Sequence, residues 1–155
     1  MQASDVIRIA VMGLGKMGVD WVANLLEGGY EVVGFDAVDT ARERAPGALA
    51  KGLAWIAKKR HPEESDFVDE AAARFRVVGT EDAFAAELES CQVLLEVIFE
   101  DLDLKCEVLS RIAPRLPDSG MIWTNTSSLS VHTMGVASGR PELFVGTHGM
   151  NPVYQ

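Results

Sequence analysis

The run Ile7-Arg8-Ile9-Ala10-Val11-Met12 leads directly into Gly13-Leu14-Gly15-Lys16-Met17-Gly18, and this junction restricts the fold more than any other part of the chain. Its first half is aliphatic and reads as a buried strand. The residues from Met17 to Leu26 place Val22, Leu25 and Leu26 on one helical face, and Gly28-Gly29 supplies the stop. A Gly-x-Gly-x-x-Gly turn between strand and helix has a mechanical meaning. The first glycine makes the tight turn, the second lets a pyrophosphate approach the backbone, and the third lets helix and strand pack closely. Unpaired N–H groups and the helix dipole favour an anion at the same place.

Beyond the loop, short β-branched runs alternate with helical patterns, which is how a parallel sheet covered by helices is written. Strands are expected at Ile7–Met12, Glu31–Asp36, Arg76–Val78, Val93–Ile98, Met121–Thr124 and Phe144–His148. A helix capped by Thr80 carries Phe84 and Leu88, and another covers about Leu102 to Leu116 with Pro114 near its end. Between the second and third strands the chain is too long for one crossover. From Thr40 to Arg74 it offers two helical stretches broken at His61-Pro62, with Pro46-Gly47 weakening the first. The expected fold is α/β: a Rossmann-type, doubly wound, mostly parallel sheet with a helical hairpin inserted between the second and third strands and standing beside the sheet.

The length of 155 residues fits one domain, and 48% hydrophobic with 24% charged residues excludes disordered and collagen-like chains. Asp and Glu number 23 against 14 Lys and Arg, and a net charge of -9 argues against nucleic acid and acidic membrane surfaces as partners. Apolar runs are too short to span a membrane, and the first residues lack the features of a leader, so a cytoplasmic protein is expected. Cys91 and Cys106 have neither metal nor redox spacing and read as buried small hydrophobes; no metal is expected.

Asp36 ends the second strand 18 residues beyond Gly18, where an acidic side chain takes ribose hydroxyls. A carboxylate there repels a 2′-phosphate, and neither Ala37 nor Val38 offers a compensating cation, so NAD is preferred to NADP. Ligands of an open parallel sheet bind outside the carboxyl ends of its strands. That rule gathers Gly13, Asp36, Glu100, Asn125-Thr126-Ser127-Ser128, His148 and Asn151 on one rim. His148 exchanges a proton near neutral pH, while Ser127 and Asn151 can hydrogen-bond an oxygen whose charge changes. Together they point to oxidation of a secondary alcohol by hydride transfer. Lys58-Lys59-Arg60 reads either as a phosphate contact or as solvated charge complementing a helix dipole.

The glycine loop, Leu94-Leu95-Glu96-Val97-Ile98-Phe99-Glu100, Asn125-Thr126-Ser127-Ser128-Leu129 and His148 with Asn151-Pro152-Val153 resemble the NAD-binding domain of 3-hydroxyacyl-CoA dehydrogenases. The interval of 21 residues between Ser127 and His148 fits that family. The resemblance implies that Gly13, Leu14, Gly15, Lys16, Met17, Gly18 and Asp36 hold NAD, with Glu100 and Lys105 lining the cofactor site. It implies Ser127 against the substrate oxygen, His148 as general base and Asn151 as a positioning group. The hairpin would touch coenzyme A, with Lys59 on a phosphate. The family interconverts 3-hydroxyacyl-CoA and 3-ketoacyl-CoA, and a homodimer is implied for the full-length enzyme. This chain departs from the pattern at Gly149-Met150, where the family usually has two aromatic residues, which leaves acyl preference open. It also stops at Gln155, before the glutamate that orients the histidine and before the helical domain, so a nucleotide-binding part with poor turnover of its own is expected. Two alternatives stand beside this reading: a β-hydroxyacid dehydrogenase acting on a free hydroxy acid, whose opening is similar to Gly13–Gly18 with Ala23-Asn24-Leu25-Leu26, and a non-catalytic NAD-binding module.

Overall fold

The structure, a computed structural model, describes residues 6–154. Its strands are β1 (Arg8–Met12), β2 (Glu31–Phe35), β3 (Phe75–Val77), β4 (Val93–Glu96), β5 (Met121–Thr124) and β6 (Phe144–Gly146). They lie in the order β3-β2-β1-β4-β5-β6, and every pairing among the described residues is parallel. The helices are α1 (Lys16–Glu27), α2 (Asp39–Arg60), α3 (Phe67–Ala73), α4 (Glu81–Leu88), α5 (Leu102–Ile112) and α6 (Val131–Ala137).

Strand alternation sorts the apolar side chains into two cores. Ile9, Val11 and Leu95 face Val22, Leu26, Leu49, Leu53 and Ile56 on the α1–α2 side. Ala10, Leu94 and Ile122 face Phe84, Leu88, Leu109 and Met134 on the other. Each such fully buried large side chain contributes about 1.5–3 kcal/mol. The doubly wound sheet read from the sequence is therefore the sheet observed.

Strand ends differ from expectation in one consistent way. Pairing stops where Met12 meets Phe35 and Glu96, and where Thr124 meets Gly146. Gly13 turns the chain away at that level: Val97 and Thr147 each still donate one backbone N–H to the neighbouring strand, to the Met12 and Thr124 carbonyls, and the ladder goes no further. Asp36, Val97-Ile98 and Thr147-His148 sit on loops just past the carboxyl edge, as a binding rim requires. At the third strand, Phe75–Val77 replaces the expected Arg76–Val78, following the register Val32↔Phe75.

The hairpin is present but differently disposed. Helix α2 passes through Pro46-Gly47 unbroken, because proline removes only one backbone donor while Ala45, Leu49, Leu53 and Ile56 stay buried on the α1 side. It rests on α1 rather than beside the sheet. The second stretch begins at Phe67, not Glu63; Phe67 is buried with its ring stacked on His61 at 4.2 Å, which holds residues 61–66 in a turn. Pro114 falls in a 3-10 turn, Ala113–Arg115, that closes α5. Helix α6 was not legible by periodicity; its start is marked by the Ser130 hydroxyl, which accepts the Thr133 N–H at 3.2 Å. Both cysteines are free: Cys91 is buried, with its thiol pushed up to about 11 by burial, whereas Cys106 is only half-buried. Among the described residues, no helix is long and apolar enough to cross a membrane.

Candidate active site

The three loop glycines do three separate jobs. Gly13 has φ +101°, and a Cβ there would lie 2.4 Å from the Val97 carbonyl oxygen. A Cβ on Gly18 would lie 1.8 Å from the Gly13 carbonyl oxygen, so helix and turn touch backbone to backbone. A Cβ on Gly15 would meet nothing within 4 Å: this is the open side of the loop. Gly15 is also the N-cap of α1 and provides no side-chain cap, leaving the first-turn N–H groups of Lys16, Met17 and Gly18 for an anion. Lys16 is exposed with its ammonium 2.9 Å from Asp20, Met17 is half-buried, and Leu14 is buried.

Asp36 closes the loop from the second strand. Its carboxylate accepts the Leu14 N–H at 2.7 Å and the Val38 N–H at 2.9 Å. Beside it opens a mostly apolar cleft of about 390 Å³ lined by Met12, Phe35, Asp36, Val38, Val97 and Phe99. A flat apolar slot with one carboxylate at its mouth suits an adenosine whose ribose hydroxyls point to Asp36. Neighbouring residues 37 and 38 are not the whole cation inventory here. Arg42 reaches the Asp36 carbonyl, pairs with Asp39 at 2.6 Å and lies over the Phe35 ring, so its guanidinium is already engaged.

The chemistry-bearing rim is built on a buried charge network. Glu96, fully buried at the end of β4, accepts the Lys105 ammonium at 2.6 Å, the Ile98 N–H at 2.7 Å and the Thr124 hydroxyl at 2.6 Å. Lys105 is 1% exposed and reaches up to Glu100 at 3.4 Å. Glu100 in turn accepts the Thr126 hydroxyl at 2.6 Å and the Ser127 N–H at 2.9 Å. Burial alone would raise the Glu100 carboxyl, but these hydrogen bonds and the Lys105 charge outweigh it and hold the group below the ordinary carboxylate range. Lys105 thus lies beneath the cofactor cleft and acts on its rim through Glu100, while Glu100 is exposed at the rim itself.

Ser127 and His148 meet above this base. The Ser127 hydroxyl oxygen and His148 Nδ1 are 3.5 Å apart, and both residues are exposed. The Thr147 N–H donates to the Thr124 carbonyl at 2.8 Å, and the Gly149 N–H donates to Asn125 Oδ1 at 2.9 Å. Asn151 is exposed two residues before Val153, whose carbonyl accepts the Asn24 side-chain amide of α1 at 2.9 Å. Lys59 is exposed in the last turn of α2. Its neighbour Arg60 pairs with Glu27 at the foot of α1, so Lys59 lies at the far end of α1 from the glycine loop.

Of the residues expected on one rim, Glu100, Ser127 and His148 are linked by direct contacts, Gly13 and Asp36 follow the carboxyl ends of β1 and β2, and Asn151 is exposed beyond β6. Sequence reading missed Trp21, Asn24, Arg42 and the supporting role of Glu96. Glu96 did leave a trace: it is an acid set inside the otherwise apolar run Val93–Phe99, which demands a buried partner. The contacts of Trp21 and Asn24 had none, since their partners Asn125 and Val153 lie more than a hundred residues away.

Residues 8–155 match the family described as 3-hydroxyacyl-CoA dehydrogenase, NAD binding domain. Among curated relatives, a probable 3-hydroxybutyryl-CoA dehydrogenase of Deinococcus radiodurans is 27% identical over 95% of this chain and 51% of its own length. An L-carnitine dehydrogenase of Nocardiopsis dassonvillei is 33% identical over 94% of this chain and 42% of its own. The solved (S)-3-hydroxybutyryl-CoA dehydrogenase of Ralstonia eutropha superposes with a TM-score of 0.84 at 26% identity, over 96% of this chain and 50% of that one. The chain thus spans about half the length of the relatives it matches. On a match that spans nearly the whole chain, the chain belongs to the 3-hydroxyacyl-CoA dehydrogenase family, as its NAD-binding domain.

Proposed function

We propose that this chain is the nucleotide-binding part of an enzyme that reversibly oxidises a 3-hydroxyacyl-CoA to the 3-ketoacyl-CoA. The observation that carries the reading is the Ser127–His148 approach of 3.5 Å past the carboxyl ends of β5 and β6. NAD bound in the cleft supplies the acceptor for the hydride leaving carbon 3. His148 takes the hydroxyl proton as that carbon becomes a carbonyl, and returns it in the reverse direction. Ser127 donates its hydroxyl hydrogen to the substrate oxygen, and Asn151 positions the same group. Glu100 keeps Ser127 in place by accepting its backbone N–H. Lys59 meets a coenzyme A phosphate about 18 Å from the rim, the length of a twelve-residue helix such as α1, along which a long pantetheine arm can extend. A cytoplasmic setting and a homodimeric full-length enzyme belong to the same reading.

The test is a pair of titrations. NADH fluorescence is expected to report binding, and acetoacetyl-CoA is expected to perturb the NADH complex. His148→Gln and Ser127→Ala retain NADH affinity while turnover drops by about 10²–10⁴-fold for the base. An NADH complex indifferent to every acyl-CoA refutes the reading in favour of a nucleotide-binding module. One observation favours a second reading, oxidation of a small free hydroxy acid: the 33% relative is named for L-carnitine, and Gly149-Met150 replaces the family's aromatic pair. Free 3-hydroxy acids in place of thioesters in the same titration separate the two.

A further inference from the structure

Asn125 Oδ1 accepts two hydrogen bonds, each 2.9 Å long, from groups on different elements: the indole Nε1–H of Trp21 in α1 and the backbone N–H of Gly149. Gly149 follows His148, and Asn125 precedes Ser127 by two residues. A single amide oxygen therefore ties the loop that carries the histidine to the loop that carries the serine, and an indole on a third element orients that oxygen. The position of the indole also crowds position 149. A Cβ there would stand 3.0 Å from Trp21 Cε2, Cζ2 and Nε1, closer than such contacts run, although Gly149 needs no unusual φ. The ring fills the room that a side chain at 149 would take.

We infer that Trp21, Asn125 and Gly149 form a clasp that sets the position of His148 against Ser127, with Trp21 and Asn125 as positioning residues. The inference deepens the proposed function, resting on its assignment of His148 and Ser127 as the reacting pair. An imidazole held by one backbone segment turns freely about its own bonds, and its placement depends on how firmly residues 147–149 are fixed. The Thr147 N–H to Thr124 carbonyl bond fixes one side of His148, and the Asn125 bond fixes the other. Removing the second leaves the first as a hinge. Displacement of a reacting group by an ångström costs about 10²-fold in rate.

The experiment compares Trp21→Phe, Asn125→Ala, their double variant and Gly149→Ala in the full chain, with histidine side chains labelled in ¹⁵N. The sequence has three histidines, so His148 can be followed against His61 and His132 as internal references. The His148 ring signals are expected to move in each single variant, with His61 and His132 unmoved and NADH affinity unchanged. The double variant is expected to match Asn125→Ala alone, since Trp21 acts through Asn125. With acetoacetyl-CoA, kcat is expected to fall about 10²-fold. His148 signals at their wild-type positions in Trp21→Phe and Gly149→Ala, or strictly additive shifts in the double variant, overturn the clasp. Trp21→Phe keeps a ring in place, so the test stands even where Asn125→Ala fails to fold. An NADH complex indifferent to every acyl-CoA would sink the proposed function alone, because the ring signals still report the clasp.

Discussion

The carboxylate of Asp36 and the backbone amide of Leu14 are joined at 2.7 Å across the turn between the first strand and the first helix. The acid to which the proposed function gives the ribose is thus also a brace of the glycine loop. Hydrogen bonds to a charged group are worth about 1.5–3 kcal/mol each, so Asp36→Ala is expected to weaken NADH binding at least about tenfold. Asp36→Asn, which keeps one acceptor, is expected to lose less. Fluorescence titration with NADH and NADPH side by side checks both, and the gap between the two nucleotides should narrow.

Glycine substitutions should separate folding from binding. Gly15→Ala adds a methyl into open space and is expected to leave the melting temperature near wild type while NADH affinity drops, because the methyl stands where the pyrophosphate approaches. Gly18→Ala drives a Cβ to 1.8 Å from the Gly13 carbonyl oxygen, and Gly13→Ala adds strain at φ +101°. Both are expected to lower stability, by about 1–3 kcal/mol at Gly13 from the backbone conformation alone. Melting curves run beside titrations distinguish the two classes.

Lys105→Met leaves the buried Glu96 carboxylate without its ammonium partner. Breaking a buried pair from one side costs about 3–5 kcal/mol, so urea denaturation should show a loss of that order. Replacing both members, Glu96→Gln with Lys105→Met, is expected to recover most of it. Equal losses in the single and double variants would mean that the charges do not depend on each other.

Two groups give stability opposite pH slopes. Glu100 is held below the ordinary carboxylate value, so its contribution is present above about pH 4.3, the unfolded value, and disappears as pH falls through the folded one. His61 is raised, first by its hydrogen bond to Glu64, with burial opposing and Glu27 adding to the rise. Its contribution is complete below about pH 6.5 and is lost as pH climbs through the higher folded value. Melting temperature against pH should therefore lose its acid shoulder in Glu100→Gln and its alkaline decline in His61→Gln.

The sheet was legible because its strands are aliphatic runs closed by glycine, asparagine or charge, and because the loop Gly13–Gly18 fixes both a turn and the direction of the next element. Asp36, Ser127 and His148 were legible as residues just past strand ends. What escaped was set by tertiary contact. The true ends of β2, β4 and β6 depend on where the neighbouring strand turns away, which no local pattern records. The seating of α2 on α1 follows from Ala45, Leu49, Leu53 and Ile56 finding Val22 and Leu26, and Pro46 masked that helix in the sequence. Trp21 and Asn24 looked like ordinary helical residues, since their partners Asn125 and Val153 lie far along the chain.

Helix α1 begins at the glycine loop, touches Asn125 through Trp21 and Val153 through Asn24, and ends at Glu27 beneath Arg60 and His61. Its twelve residues are accordingly fitted to distant ones. A chimera that takes its first βαβ unit from one relative and its final loop from another would join an indole to a bulky residue 149, or a small ring to a glycine, and leave either a collision or a void. Grafting a cofactor preference onto this scaffold therefore means moving positions 125 and 149–153 together with the nucleotide loop.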